Sequence, residues 1–293
     1  MTFRGTYTAL VTPFRADGAL DLDALARLVE WQIESQVDGL VPCGSTGEAA
    51  TLSHAEHIQV VKHVVEVAAG RVPVIAGSGS NYTREAVELT REARRIGAEA
   101  ALLISPYYNK PTQDGIFHHY RTVAEETGMP LLLYNIPGRT GSRIESATSA
   151  RLSRLAGVIG LKECGGDLSA TAQTIAQCEP GFVVLSGDDA LTLPLLAIGA
   201  LGVISTTANL VPQQMGEITR AYLAGDTQRA RAVHYELLPL IEALFIESNP
   251  IPVKTALAIQ GRIPEATMRL PLTPLQKSNR DRLEAVLAEL PSK

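Results

Sequence analysis

One lysine in this chain of 293 residues stands where an amine can do carbonyl chemistry. Lys162 follows Val158-Ile-Gly-Leu161, a short apolar run of the kind that forms a buried strand. A free lysine is neutral to well under one part in a thousand near pH 7. Desolvation at an apolar strand exit, or a neighbouring cation, lowers the pKa and turns the amine into a nucleophile for ketones. The alternative is that Lys162 pairs with Glu163 or extends to solvent, and strand position alone leaves both readings open. Three further groups would suit such chemistry. Ser45 and Thr46 lie in Gly44-Ser-Thr-Gly-Glu48, a turn whose N–H groups and hydroxyls suit a carboxylate or, equally, a helix cap. Tyr134 ends a run of leucines and offers a phenol for proton relay, although a core tyrosine with its hydroxyl at the rim looks the same. Arg139, between Pro137-Gly138 and Gly141, has the bidentate geometry for a carboxylate, or is an ordinary exposed arginine.

Other chemistries find less support. His54, His57, His63, His118, His119 and His234 lack zinc spacing with partner cysteines or carboxylates. His118 and His119 fall on a predicted helix, where adjacent side chains diverge and do not meet at one ion. The glycine-rich stretches match neither the dinucleotide nor the P-loop pattern. No metal and no cofactor is therefore expected. A net charge of −5 without any basic run argues against nucleic acid, so an anionic substrate must be met by a few placed cations. Cys43, Cys164 and Cys178 are an odd set without redox spacing, which fits a reducing, cytoplasmic setting. Met-Thr-Phe-Arg-Gly at the start carries no apolar signal core, and no apolar run is long enough for a bilayer. A mature cytosolic chain with no membrane partner is the expectation.

The elements that must position these residues alternate along the chain. Eight near-continuous apolar runs read as strands: Tyr7–Val11, Gly39–Val41, Pro73–Ala76, Ala100–Ile104, Pro130–Tyr134, Val158–Leu161, Val183–Leu185 and Gly202–Ser205. Such runs suit parallel strands covered on both faces. Amphipathic helices lie between them, one opened by the capping box Ser53-His-Ala-Glu56. Gly70, Gly97, Gly128 and Gly157 sit where helices need a left-handed end residue. This predicts a (β/α)8 TIM barrel over residues 1–224, with an open doubly wound sheet as the alternative. A helical C-terminal segment over 225–293 follows, with helices at Gln228–Ile246 and Leu275–Leu290. Asn249-Pro-Ile-Pro252 and Leu270-Pro-Leu-Thr-Pro274 read as punctuation between them. In a barrel, function gathers at the strand exits into the βα loops, and Ser45, Tyr134, Arg139 and Lys162 all fall there.

Taken together, the motifs resemble the dihydrodipicolinate synthase family from end to end. They run from Gly5-Thr-Tyr-Thr-Ala-Leu-Val-Thr-Pro-Phe14 through Gly44-Ser-Thr-Gly-Glu48, Tyr107-Tyr-Asn-Lys-Pro111, Tyr134-Asn-Ile-Pro-Gly-Arg-Thr-Gly141 and Gly160-Leu-Lys-Glu163 to Asn249-Pro-Ile-Pro-Val-Lys254. The resemblance implies a lyase that condenses pyruvate with L-aspartate 4-semialdehyde, on the way to lysine and diaminopimelate. It implies a Schiff base on Lys162, a proton relay through Tyr134, Ser45 and Tyr108, the last from a neighbouring subunit, and pyruvate carboxylate binding at Thr46. Arg139 would hold the semialdehyde carboxylate, and the backbone carbonyls of Gly187 and Ile204 would touch the bound intermediate. Ser45 stands where the family usually has threonine, so the hydroxyl remains but loses a methyl that restrains its rotamer. A homotetramer built as a dimer of dimers is implied. So is an L-lysine effector site at Ala49, Ala50, His54, His57, Asn81, Glu85 and Tyr107, where Ala49 replaces a serine often found there.

Two alternatives stay open from the residues themselves. One is a lyase of the wider superfamily, such as N-acetylneuraminate lyase or keto-deoxy sugar acid aldolase, which share the lysine and the tyrosine. Arg139 and the Tyr107-Tyr108 pair argue against it. The other is a pyruvate-sensing barrel without turnover, which would have no use for a proton relay.

Overall fold

The computed structural model describes residues 3–290. Eight parallel strands appear in chain order: β1 Gly5–Ala9, β2 Gly39–Val41, β3 Ile75–Gly77, β4 Ala100–Ile104, β5 Leu131–Asn135, β6 Val158–Glu163, β7 Val183–Ser186 and β8 Gly202–Ser205. They pair in the order β2-β1-β8-β7-β6-β5-β4-β3. The two ends of this order meet through a parallel bridge between Leu40 and Val74, with Leu40 N–H donating to Pro73 O (3.0 Å) and Gly77 N–H to Pro42 O (2.9 Å). The sheet closes on itself as a (β/α)8 barrel, and the open-sheet alternative falls away.

Strand alternation sorts the apolar residues into two layers. Leu40, Ala101, Leu103, Leu131, Leu133, Leu161 and Val184 face outward against the helices. Tyr7, Val41, Leu102, Leu132, Tyr134, Leu185 and Ile204 fill the lumen. Both layers are buried and apolar, so the strands need no polar side and read as unbroken apolar runs. Around the barrel run α1 Leu22–Glu34, α2 His54–Ala68, α3 Thr83–Ile96, α4 Gln113–Thr127, α5 Pro137–Thr140, α6 Ser146–Leu152, α7 Leu168–Gln177 and α8 Thr192–Ala197. The expected capping box at α2 is formed, Ser53 and Glu56 each satisfying the other's backbone N–H. Gly97 and Gly128 end α3 and α4 in left-handed conformation, as expected. Gly157 also has positive φ but lies beyond the end of α6, so it shapes the turn into β6.

After β8 come α9 Pro212–Leu223, α10 Thr227–Leu244, α11 Ile251–Ile259 and α12 Lys277–Ala288. Met215, Ile218, Val233, Leu237, Leu240, Leu244, Val253, Leu257 and Leu283 form a second core that also takes in Leu28 of α1 and Leu196 of α8. The C-terminal helices are thereby seated on the barrel wall. Two helices were not expected from the sequence. α5 and α11 both begin at prolines read as loop signals, yet proline fits the first helical turn, where no intrahelical donor is needed. Among the described residues no helix is long and apolar enough to cross a membrane.

Candidate active site

β6 runs two residues further than its apolar pattern, through Lys162 and Glu163. Adjacent strand residues point to opposite faces, and the two charged groups separate accordingly. Glu163 faces outward, where its carboxylate accepts from Asn135 Nδ2 (3.2 and 3.0 Å) and from Gly165 N–H (2.5 Å). Lys162 faces the lumen, is only 6% exposed, and among the described residues makes no ion pair. Its Nζ lies 4.2 Å from the centroid of the Tyr134 ring, and Lys162 and Tyr134 are register partners across β5 and β6. The Lys162–Glu163 pairing that the sequence left open is therefore not formed. Burial pushes the Lys162 amine from 10.5 down to about 8; nearby Cys164 and Asp189 pull the other way, and the charge of Arg139 adds to the fall.

Tyr134 is itself buried, which holds its phenol protonated far above neutral pH. Ser45 beside it pulls slightly the other way. Ser45 and Thr46 sit in the turn that leaves β2, where the N–H groups of Gly47, Glu48 and Ala49 fold back onto Gly44 O and Ser45 O. Those of Ser45 and Thr46 have no partner among the described residues. The turn is tight enough that Cys43 and Glu48, neither of them glycine, adopt positive φ. Such strain is kept only where surrounding contacts over-determine it. Here Thr12 Oγ1 donates to Gly47 O (2.7 Å), and fully buried Lys254 pairs with fully buried Glu48 (2.6 Å).

The Thr46 hydroxyl is set by two groups that sequence reasoning missed. Asn249 Nδ2 donates to Thr46 Oγ1 (2.9 Å), and the Thr206 hydroxyl lies 3.2 Å from it. Thr206 is fixed in turn by Asp189, whose Oδ2 accepts from the N–H groups of Thr206 (3.1 Å) and Thr207 (2.8 Å). Asn249 also accepts, through its backbone carbonyl, a hydrogen bond from Arg139 Nη2 (3.0 Å). One residue of the C-terminal segment thus touches both Thr46 and Arg139. The only signal for it was Asn249-Pro-Ile-Pro252, quoted for resemblance and otherwise read as punctuation.

Ser45, Tyr134, Arg139 and Asn249 line a cavity of about 450 Å³ at the barrel mouth. Lys162 and Thr46 are not among the residues that line it. Ala49, Ala50, His54, His57, Glu85 and Tyr107 line the same cavity on its far side, while Asn81 does not. On that side His54 Nε2 is 2.6 Å from Glu85 Oε1, the Ser80 hydroxyl donates to the same carboxylate, and His57 Nε2 is 2.7 Å from Gly77 O. Ser80 first and His54 second hold the Glu85 carboxyl below its usual range. Asn81 instead accepts from Asn109 Nδ2 through its backbone oxygen (2.9 Å). Tyr108 stands apart, 88% exposed and with positive φ, in the loop after β4. Gly187 N–H continues the β6–β7 ladder to Glu163 O (2.7 Å), and its carbonyl accepts the Cys164 thiol (3.3 Å). Ile204 is buried in β8 beside Tyr7 of β1.

A desolvated amine, a phenol beside a hydroxyl and unpartnered N–H groups in one closed barrel suit covalent capture of a keto acid. Known proteins of the same shape carry names that agree. A 4-hydroxy-tetrahydrodipicolinate synthase of Nitratidesulfovibrio vulgaris is 54% identical over 289 residues, covering 98% of each chain. The chloride-inhibited dihydrodipicolinate synthase of Acinetobacter baumannii, solved in complex with pyruvate, superposes with a TM-score of 0.96 at 45% identity, covering 98% of both chains. The enzyme of Cyanidioschyzon merolae, solved with lysine bound, gives 0.95 at 38% identity, over 98% of this chain and 97% of the other. The family model for the dihydrodipicolinate synthetases matches residues 2–290. With nearly all of its length matched in this way, the chain belongs to the dihydrodipicolinate synthetase family.

Proposed function

We propose that this chain is a 4-hydroxy-tetrahydrodipicolinate synthase, condensing pyruvate with L-aspartate 4-semialdehyde through a Schiff base on Lys162. The observation that carries the reading is the Lys162 amine, buried without an ion pair among the described residues and held down to about 8. A neutral amine attacks the keto carbon of pyruvate, and loss of water gives the imine. Loss of a methyl proton then gives an enamine, which attacks the aldehyde carbon of the semialdehyde. The semialdehyde's own amine closes the ring by displacing Lys162. Each proton needs a carrier at the lumen, and Tyr134 with Ser45 supplies a two-hydroxyl path there. Tyr108, exposed in the single chain, reaches the path of a neighbouring subunit in a homotetramer. Thr46 and the free N–H groups of its turn take the pyruvate carboxylate. Arg139, at the cavity mouth, takes the carboxylate of the second substrate, and the carbonyls of Gly187 and Ile204 meet the intermediate's polar groups.

Support for the substrate pair comes from two sides. The relatives bear the synthase name over 98% of their length, and Arg139 in the cavity lining offers a cation to the carboxylate of an α-amino acid aldehyde. A cytoplasmic setting accords with three cysteines that are all free. The cavity lining around Ala49, Ala50, His54, His57, Glu85 and Tyr107, with neighbouring Asn81, supports an L-lysine effector site. An assay that offers the semialdehyde against sialic and keto-deoxy sugar acids tests the substrate assignment. Turnover is expected with pyruvate plus semialdehyde alone; preferential cleavage of a sugar acid would overturn it.

A further inference from the structure

Gly187 follows the last residue of β7 and, by strand alternation from Leu185, faces the lumen beside Lys162. Its φ lies outside the left-handed region, so the backbone there would accept alanine. The space would not. A Cβ at this position would stand 2.8 Å from Lys162 Cε, 3.0 Å from Lys162 Cγ and 3.1 Å from Cys164 Cβ. Real side-chain carbons do not come as close as 2.8 Å, so a methyl group at 187 must shift the end of the lysine stem, while Lys162 Cγ and Cys164 Cβ would have to give by a few tenths of an ångström. The peptide itself is pinned to β6 on both sides, through Gly187 N–H to Glu163 O (2.7 Å) and Cys164 Sγ to Gly187 O (3.3 Å). It has little room to retreat.

We infer that the missing side chain at Gly187 is a positioning device, a bare patch across which the Lys162 stem lies so that its amine rests over the Tyr134 ring. This adds to the carbonyl contact already proposed for Gly187 and concerns the free enzyme, before any substrate arrives. It rests on the Schiff-base reading only for its kinetic consequence. A seat of this kind fixes the direction from which the amine meets a ketone, and small misplacements of reacting atoms cost rate steeply.

A cycle of four proteins tests it: wild type, Gly187→Ala, Lys162→Ala and the double variant, compared by melting temperature. The methyl group is expected to lower the melting temperature of wild type by several degrees. In the Lys162→Ala background most of that loss disappears, because the stem it collides with is gone. An equal loss in both backgrounds, or none in wild type, overturns the inference. Should Gly187→Ala fail to fold, the double variant still decides, since it folds if the stem is the obstacle and fails otherwise. The kinetic arm follows pyruvate trapping by borohydride against pH. Gly187→Ala is expected to slow trapping on the order of 100-fold and to move its pH profile upward, as a displaced amine regains solvent. An unchanged rate and profile contradict the seat. Absence of any trapping in wild type would instead sink the Schiff-base reading and leave the melting cycle to decide the seat.

Discussion

A lysine amine in water carries its charge at neutral pH, and the barrel lumen removes the water that stabilises it. Desolvation brings Lys162 from 10.5 to about 8, which raises its neutral fraction at pH 7 by more than two orders of magnitude. The same shift weakens the fold. A native pKa below the unfolded one means the unfolded chain binds more protons between about pH 8 and 10.5, so stability from this group rises with pH across that window. Below about 8 the cost is fully present and amounts to roughly 3 kcal/mol. Lys162→Met is therefore expected to raise the melting temperature at pH 7 and to lose that advantage by pH 10.5. In wild type, the rate of imine formation with subsaturating pyruvate should climb about tenfold per pH unit below 8 and level off above. A melting gain that is absent at pH 7, or one that persists unchanged at pH 10.5, contradicts this account of the amine.

Among the elements, the turn after β2 depends most on distant support. Glu48 has positive φ, and its carboxylate takes Lys254 Nζ (2.6 Å) and Arg269 N–H (3.3 Å) from the C-terminal segment. Phe14 fills the space beside the pair, with Lys254 Nζ 4.3 Å and the Arg269 guanidinium 4.4 Å from its ring. Removing one partner of a fully buried pair leaves an uncompensated charge and costs about 3–5 kcal/mol, whereas removing both costs less. In denaturant titrations, Lys254→Met should thus lose more stability than Glu48→Gln/Lys254→Met. A double variant that loses the sum of the two single losses would contradict the coupling. The strands were legible as short, unbroken apolar runs and most helices as amphipathic stretches of period 3.6. So were Lys162, Tyr134, Ser45 and Thr46, since strand exits are where barrel chemistry collects. β6 was cut short because Lys162 and Glu163 look like the end of an apolar strand, although one faces a lumen and the other a polar gap lined by α6 and α7. Asn249 and Thr206 were missed for a different reason. The Asn249–Thr46 bond spans 203 positions, and no local pattern encodes a contact at that range.

At the scale of the whole molecule, one continuous cavity joins the barrel mouth to the proposed effector residues. A ligand on the far side would meet Glu85, already paired with His54 and Ser80. An ammonium group there replaces the His54 contact with a stronger ion pair, and its coupling to the catalytic side need be only about 1–3 kcal/mol to change rates severalfold. Initial rates at subsaturating substrates should fall at millimolar L-lysine, and Glu85→Ala should abolish the fall while leaving uninhibited turnover in place. Rates that ignore lysine in wild type remove the effector site without touching the synthase reading. Tyr108, exposed on a strained loop, belongs to the same scale, since its proposed role requires a neighbouring subunit to be in place.

The proposed reaction turns on one covalent bond, between Lys162 Nζ and the keto carbon of pyruvate. Borohydride reduction in the presence of pyruvate, followed by peptide mass mapping, reads that bond directly. The adduct is expected on the peptide carrying Lys162 and should be absent from Lys162→Ala. A stable adduct only on Lys254 or Lys110, or full turnover by Lys162→Ala, would contradict it.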